Sequence, residues 1–200
     1  MRRKSTAPAP GTSRPKQGSA SAAARMQIDA EVLLPTARVQ LVRLSSRGKF
    51  EHKYQDARAH WIDLSLANRS AGARASYRQQ WGAHRSEPLG ALFMAPCGRP
   101  LTVSGDGGEF ASIVCRLDAA AMSEWIEGEL EWTERRLEAS LDIADTTMRG
   151  LLRKLAHEMR HPGLAARSMM ELLVGQIAIE VGRHFSAIDT PAAVGGLASW

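Results

Sequence analysis

Between Ala30 and about Asp142, apolar residues come in short runs that alternate with polar ones or stop at turn residues; beyond that they recur at three- and four-residue intervals. The first pattern is that of strands and the second that of helical faces. Arg38 to Leu44 alternates and is closed by Ser45, Ser46, Arg47 and Gly48. His60 to Leu66 sets Ile62, Leu64 and Leu66 on one face against Trp61, Asp63 and Ser65 on the other, which predicts a half-buried strand. Ala73 to Trp81 reads as a more polar strand ended by Gly82, and Gly90 to Pro96 as a buried one stopped by proline. Leu101 to Ser104 and Phe110 to Leu117 are further strands, with Gly105-Asp106-Gly107-Gly108 between them as a hairpin turn.

Asp118 is positioned to cap a short helix through Trp125 and Ile126. Leu130 to Ile143 fits neither period cleanly, and a strand over Arg136 to Leu141 is the favoured assignment. The last third is helical. Met148, Leu151, Leu152, Leu155, Ala156 and Met159 form one face behind the capping Asp145, and Pro162-Gly163 ends it. A second helix runs from Leu164 to about Phe185, and the short turn predicts an antiparallel hairpin. Its main stripe, Met169, Leu172, Leu173, Ile177 and Val181, is flanked by Met170, Val174, Ala178 and Ile179. So broad an apolar surface needs more cover than one neighbouring helix, either the β region or a second copy of the chain.

The 200 residues, 44% hydrophobic and 24% charged, are enough for one ordinary domain with a core. The net charge of +5 suggests nucleic acid until it is divided along the chain. Six bases, Arg2, Arg3, Lys4, Arg14, Lys16 and Arg25, precede Met26 without an acid, leaving 20 bases against 21 acids and a net charge of −1 thereafter. Strong DNA binding needs clustered cations on one surface, so the folded part is not expected to grip DNA by itself. Residues 1–29 are expected to be a disordered basic tail, 30–143 a β domain, 144–187 the helical hairpin and 188–200 a linker. No apolar run approaches the roughly 18 residues of a membrane span, and the basic start lacks the apolar core of a secretory signal. Cys97 and Cys115, without a CxxC, read as reduced thiols in a cytoplasmic protein.

Several strings, in this order, resemble AraC-type transcriptional regulators: HWIDLSLANRSAGARASYRQQWGAHR from His60, PLGALFMAPCGRP from Pro88, ASIVCRL from Ala111, MELLVGQIAIEVGRHF from Met170 and the terminal GGLASW. The likeness extends from about Leu34 to Trp200. It implies an α+β chain, a cupin-like antiparallel β barrel or jelly roll followed by the helical hairpin, that senses a small organic effector and forms a homodimer. In the family, GGL and a following Trp resemble the start of the first helix of a DNA-binding domain; here the match stops at Trp200, so the reader helices are expected to be missing.

A barrel of this kind holds ligands at its mouth. The liners expected from the sequence are Arg78, Gln80, Trp81 and His84 around Gly82, with His52, His60 and Arg99. An Arg beside an indole suits a carboxylate-bearing or aromatic effector. On the same sequence Trp81 also reads as core, and Arg78 and His84 as surface residues. Metal-dependent cupin enzymes, which the fold resembles, place two histidines one residue apart on a strand. Here His52 and His60 are eight apart, and His157 and His161 are four apart on a helix without an H-E-x-x-H. There is no G-x-S-x-G and no phosphate-binding loop. The expectation is therefore no catalysis, no metal and no cofactor, with a cupin-type enzyme or an effector-free dimeric scaffold as alternatives.

Overall fold

In the computed structural model, which describes residues 25–67, 69, 72–126 and 129–188, the strands form two antiparallel sheets and the helices follow. The strands are β1 (Arg25–Leu33), β2 (Ala37–Ser46), β3 (Phe50–Tyr54), β4 (Ala59–Ser65), β5 (Arg74–Ser76), β6 (Glu87–Pro88), β7 (Leu92–Ala95), β8 (Leu101–Gly105) and β9 (Gly108–Asp118). The helices are α1 (Arg78–Trp81), α2 (Ala119–Trp125), α3 (Glu134–Ala139), α4 (Thr146–Arg160) and α5 (Ala166–Ile188). One sheet has the order β1-β2-β9-β4-β7 and the other β3-β8-β5-β6. Antiparallel sheets with appended helices are the α+β arrangement that the strand and helix patterns predict, and they agree with the cupin-like form that the family resemblance implies.

The period of two sorts side chains between two cores. Val39, Leu41, Ile62, Leu64, Ile113 and Cys115 leave the five-stranded sheet on its outer face and pack against Leu152, Leu155, Leu173, Val174 and Ile177 of α4 and α5. Phe93 and Ala95 point the other way and meet Ala75, Leu101 and Val103 of the second sheet, with Tyr77, Leu137 and Leu141 closing that inner core. Each fully buried Leu or Ile is worth about 1.5–3 kcal/mol, so the outer core is what fixes the helical pair to the sheet.

Several sequence expectations change. His60 to Leu66 is buried on both faces rather than half-buried: Ile62 and Leu64 lie under the helices, while Asp63 and Ser65 are 3% and 7% exposed. Gly105 to Gly108 is a corner between the sheets and not a hairpin turn, since β8 pairs with β3 and β5, and β9 with β2 and β4. The corner runs against the one between β2 and β3. A Cβ at Gly107 would lie 2.6 Å from the Ser46 carbonyl oxygen and 2.7 Å from the Gly48 nitrogen, so only glycine allows this approach of backbones. Arg136 to Leu141 is helical, because the Thr133 hydroxyl accepts from the Arg136 amide at 3.3 Å and a helix turn delivers Leu137 and Leu141 together into the inner core. In Ala73 to Trp81 only Arg74–Ser76 is strand, and Arg78–Trp81 turns into α1. β1 starts at Arg25, inside the stretch expected to be unstructured, and residues 1–24 lie outside the described residues.

The capped helices match their expectation. Asp118 accepts from the Ala121 amide at the start of α2, and Asp145 from the Met148 amide at the start of α4. The expected dimer stripe on α5 is divided. Leu173, Ile177 and Val181 are 2%, 0% and 0% exposed in the chain's own core, leaving Met169 and Leu172 on the surface. The sheet needs that stripe for its own cover, which the helical spacing alone could not show. No helix among the described residues is long and apolar enough to cross a membrane.

Candidate functional site

The two sheets do not close completely on each other. Between them lies a cavity of about 60 Å³, walled by Val42, Phe50, Trp61, Val103 and Phe110 and carrying the polar groups Gln40, His52, Asp63, Arg69 and Ser112. Each inner-face strand supplies its alternate residues: Gln40 and Val42 from β2, His52 and Tyr54 from β3, Trp61 and Asp63 from β4, Ser112 and Val114 from β9. The register sets Asp63 and Gln40 on either side of Val114, and Val42 beside Ser112.

Asp63 is the centre of the polar wall. Its carboxylate accepts from Arg69 Nη2 at 2.8 Å and, more weakly, from the Tyr54 hydroxyl at 3.4 Å. The Arg69 guanidinium also lies 4.9 Å over the Phe93 ring. Burial pushes the Tyr54 phenol well above its ordinary range, with Asp63 acting in the same direction, so the hydroxyl is a hydrogen-bond donor here. Burial lowers the His52 pKa although Asp63 opposes it, which favours a neutral imidazole able to donate or accept. An aromatic cluster runs behind these groups, with Tyr54 edge-on to His52, Trp61 and Phe93 at 4.7, 5.4 and 5.3 Å.

Two lining residues carry buried N–H groups without an acceptor among the described residues: Trp61 Nε1 and Arg69 Nε. Both are donors only. A buried donor left unpaired costs about 1–3 kcal/mol.

Of the residues expected from the sequence to line a ligand site, His52 lines this cavity. His60 sits on the opposite face of β4 from Trp61 and Asp63, in a separate groove with Cys97, Met122, Ser123 and Trp132. There its Nδ1 accepts from the Cys97 amide at 3.1 Å, and burial lowers its pKa to about 4 against the pull of Asp118. Arg78 is exposed on α1 and paired with Glu51, and Gln80, His84 and Arg99 are also exposed. Trp81 is half-buried beneath the Arg85 guanidinium, which is itself held by Glu87, Glu134 and Glu138. Trp81 and Arg85 tie α1 to α3, and none of these positions lines the cavity. The sequence reasoning missed Tyr54, Trp61, Asp63 and Arg69. The available signal was Asp63, an acid centred in an otherwise strongly apolar strand. Among the described residues no group of three or more His, Cys, Asp or Glu side chains is placed to hold a metal.

No protein-family model and no curated protein matches the sequence. Among solved structures, the chain is similar to a cupin domain from Bordetella pertussis (12% identity, 51% of this chain and 100% of that one, TM-score 0.37). It is similar also to KdgF from a Halomonas species (14%, 48% and 78%, TM-score 0.34) and to the Cnp3 cupin domain of Schizosaccharomyces pombe (7%, 55% and 77%, TM-score 0.36). In each case the likeness spans about half of this chain.

Proposed function

We propose that this chain is the effector-sensing and dimerising region of an AraC-type transcriptional regulator, with a small organic molecule bound between the two sheets. The observation that carries the reading is the inter-sheet cavity: a mostly apolar space with a few convergent polar groups. The strand, hairpin and linker order of the sequence supplies the regulatory part of the proposal. Effector binding changes the output only if it favours one arrangement of paired sensor regions over another, and α4 and α5, packed on the outer face of the sheet that walls the cavity, are the elements placed to report it. Dimerisation uses apolar residues that α5 leaves exposed, Met169 and Leu172 among them.

Native mass spectrometry of the 200-residue chain tests this in one experiment. A dimer that retains, or takes up, a small organic molecule in one copy per chain supports the proposal. A monomer at high concentration sinks the dimer, and a stoichiometric transition metal replaces sensing with metal-dependent cupin chemistry.

A further inference from the structure

The cavity between the sheets constrains what can occupy it in size, shape and charge. About 60 Å³ is open to the centres of water-sized groups, several times the roughly 10–15 Å³ that one water needs. That is room for a single ring or its equivalent. Phe50 and Phe110, with ring centroids 6.0 Å apart, and the Trp61 indole give aromatic walls, which favour a flat apolar body.

Charge narrows the class further. Asp63 and Arg69 bond each other, with side chains 5% and 16% exposed, so the carboxylate and the guanidinium that line the cavity among the described residues are already matched. An anionic ligand must displace Asp63 from Arg69 or leave an unmatched negative charge in a mostly apolar, partly closed space, and a cation meets the converse problem with Arg69. Either outcome is costly in a poorly hydrated place.

We infer that the ligand of this cavity is an uncharged molecule the size of one aromatic ring. The inference rests on the proposed reading of the cavity as a ligand site and adds the class of ligand.

Three probes of equal ring size and different charge separate the possibilities: benzamide, benzoate and benzylamine, each titrated calorimetrically into the full chain near neutral pH. Benzamide is expected to bind at least about tenfold more tightly than either charged probe, the effect of about one unmatched polar interaction. Equal or tighter binding of benzoate or benzylamine overturns the charge argument while leaving the cavity a ligand site. Binding of none of the three overturns the ligand class, and the ligand-site reading is then judged separately by what native mass spectrometry finds retained.

Discussion

Neutralising Asp63 is the sharpest single perturbation of the cavity wall. The Asp63–Arg69 pair joins β4 to the chain leading into β5 at 2.8 Å, with Asp63 3% exposed. At a charge separation of about 4 Å and an effective dielectric constant of about 20, the attraction is about 4 kcal/mol. Arg69 keeps some contact with solvent, which screens part of that, and removal of one partner also strands the other in a poorly hydrated place. The Asp63→Asn variant is therefore expected to lose about 2–3 kcal/mol of unfolding free energy, or about 4–12 °C in Tm for a chain of this size. Arg69→Gln is expected to cost less, because the Asp63 carboxylate keeps the Tyr54 hydroxyl as a donor. The double variant is expected to cost clearly less than the two single losses together, since no unmatched charge remains. Urea unfolding followed by circular dichroism, with the m-value checked for constancy, measures all four proteins. Additive losses within about 0.5 kcal/mol, or a loss under about 1 kcal/mol for Asp63→Asn, would refute the picture of a matched, buried pair.

Three further predictions concern the surroundings of the site. Gly107→Ala forces a Cβ against two backbone atoms at the corner where the sheets meet and is expected to cost about 2–3 kcal/mol in thermal or urea unfolding, whereas Gly48→Ala, which meets nothing within 4 Å, is expected to change stability by less than about 0.5 kcal/mol. His60, buried with its pKa lowered to about 4, binds a proton more readily in the unfolded chain, where its pKa is about 6.5. Its contribution to stability is thus complete above pH 6.5 and lost as the pH falls toward 4, about 3 kcal/mol in all; an imidazole NMR resonance titrating near 6.5 contradicts this. Cys115 is fully buried and its thiol is pushed up to about 12, while Cys97 is partly exposed, so iodoacetamide is expected to modify Cys97 in the native protein and to reach Cys115 only on unfolding, as peptide mapping can show.

The helical third was legible because its signals are local. Asp118 and Asp145 cap where the sequence placed caps, and the spacing from Met148 to Met159 needs no knowledge of the rest of the chain. The strands were legible as strands, but their partners were not, since pairing is set by the whole sheet. Gly105 to Gly108 has hairpin composition and yet carries the chain from one sheet to the other. Leu137 and Leu141 are four apart, a helical spacing, but flanking charges blurred it until Thr133 was seen to cap the turn.

The site was the least legible part. A run such as HWIDLSL puts Trp61 and Asp63 on its polar face, and one strand cannot distinguish water on that face from a second sheet. The histidines and the Arg-Trp cluster around Gly82 drew attention as chemistry-bearing types, but α1 carries most of that cluster on its exposed surface. Asp63 was recoverable in principle, because an acid in the centre of an apolar strand costs stability unless something is paired with it.

The central claim is that ligands enter between the sheets, and the indole N–H signals of the tryptophans test it directly. Trp61 lines the cavity, Trp132 lines the groove beside His60, and Trp125 lies on α2. In nitrogen-15 NMR spectra of the full chain, titrated in turn with benzamide, benzoate and benzylamine, any probe that binds is predicted to move the Trp61 indole signal saturably and to leave Trp125 and Trp132 in place. Saturable shifts confined to Trp132 or Trp125, or a Trp61 signal unmoved by all three probes, would contradict the account.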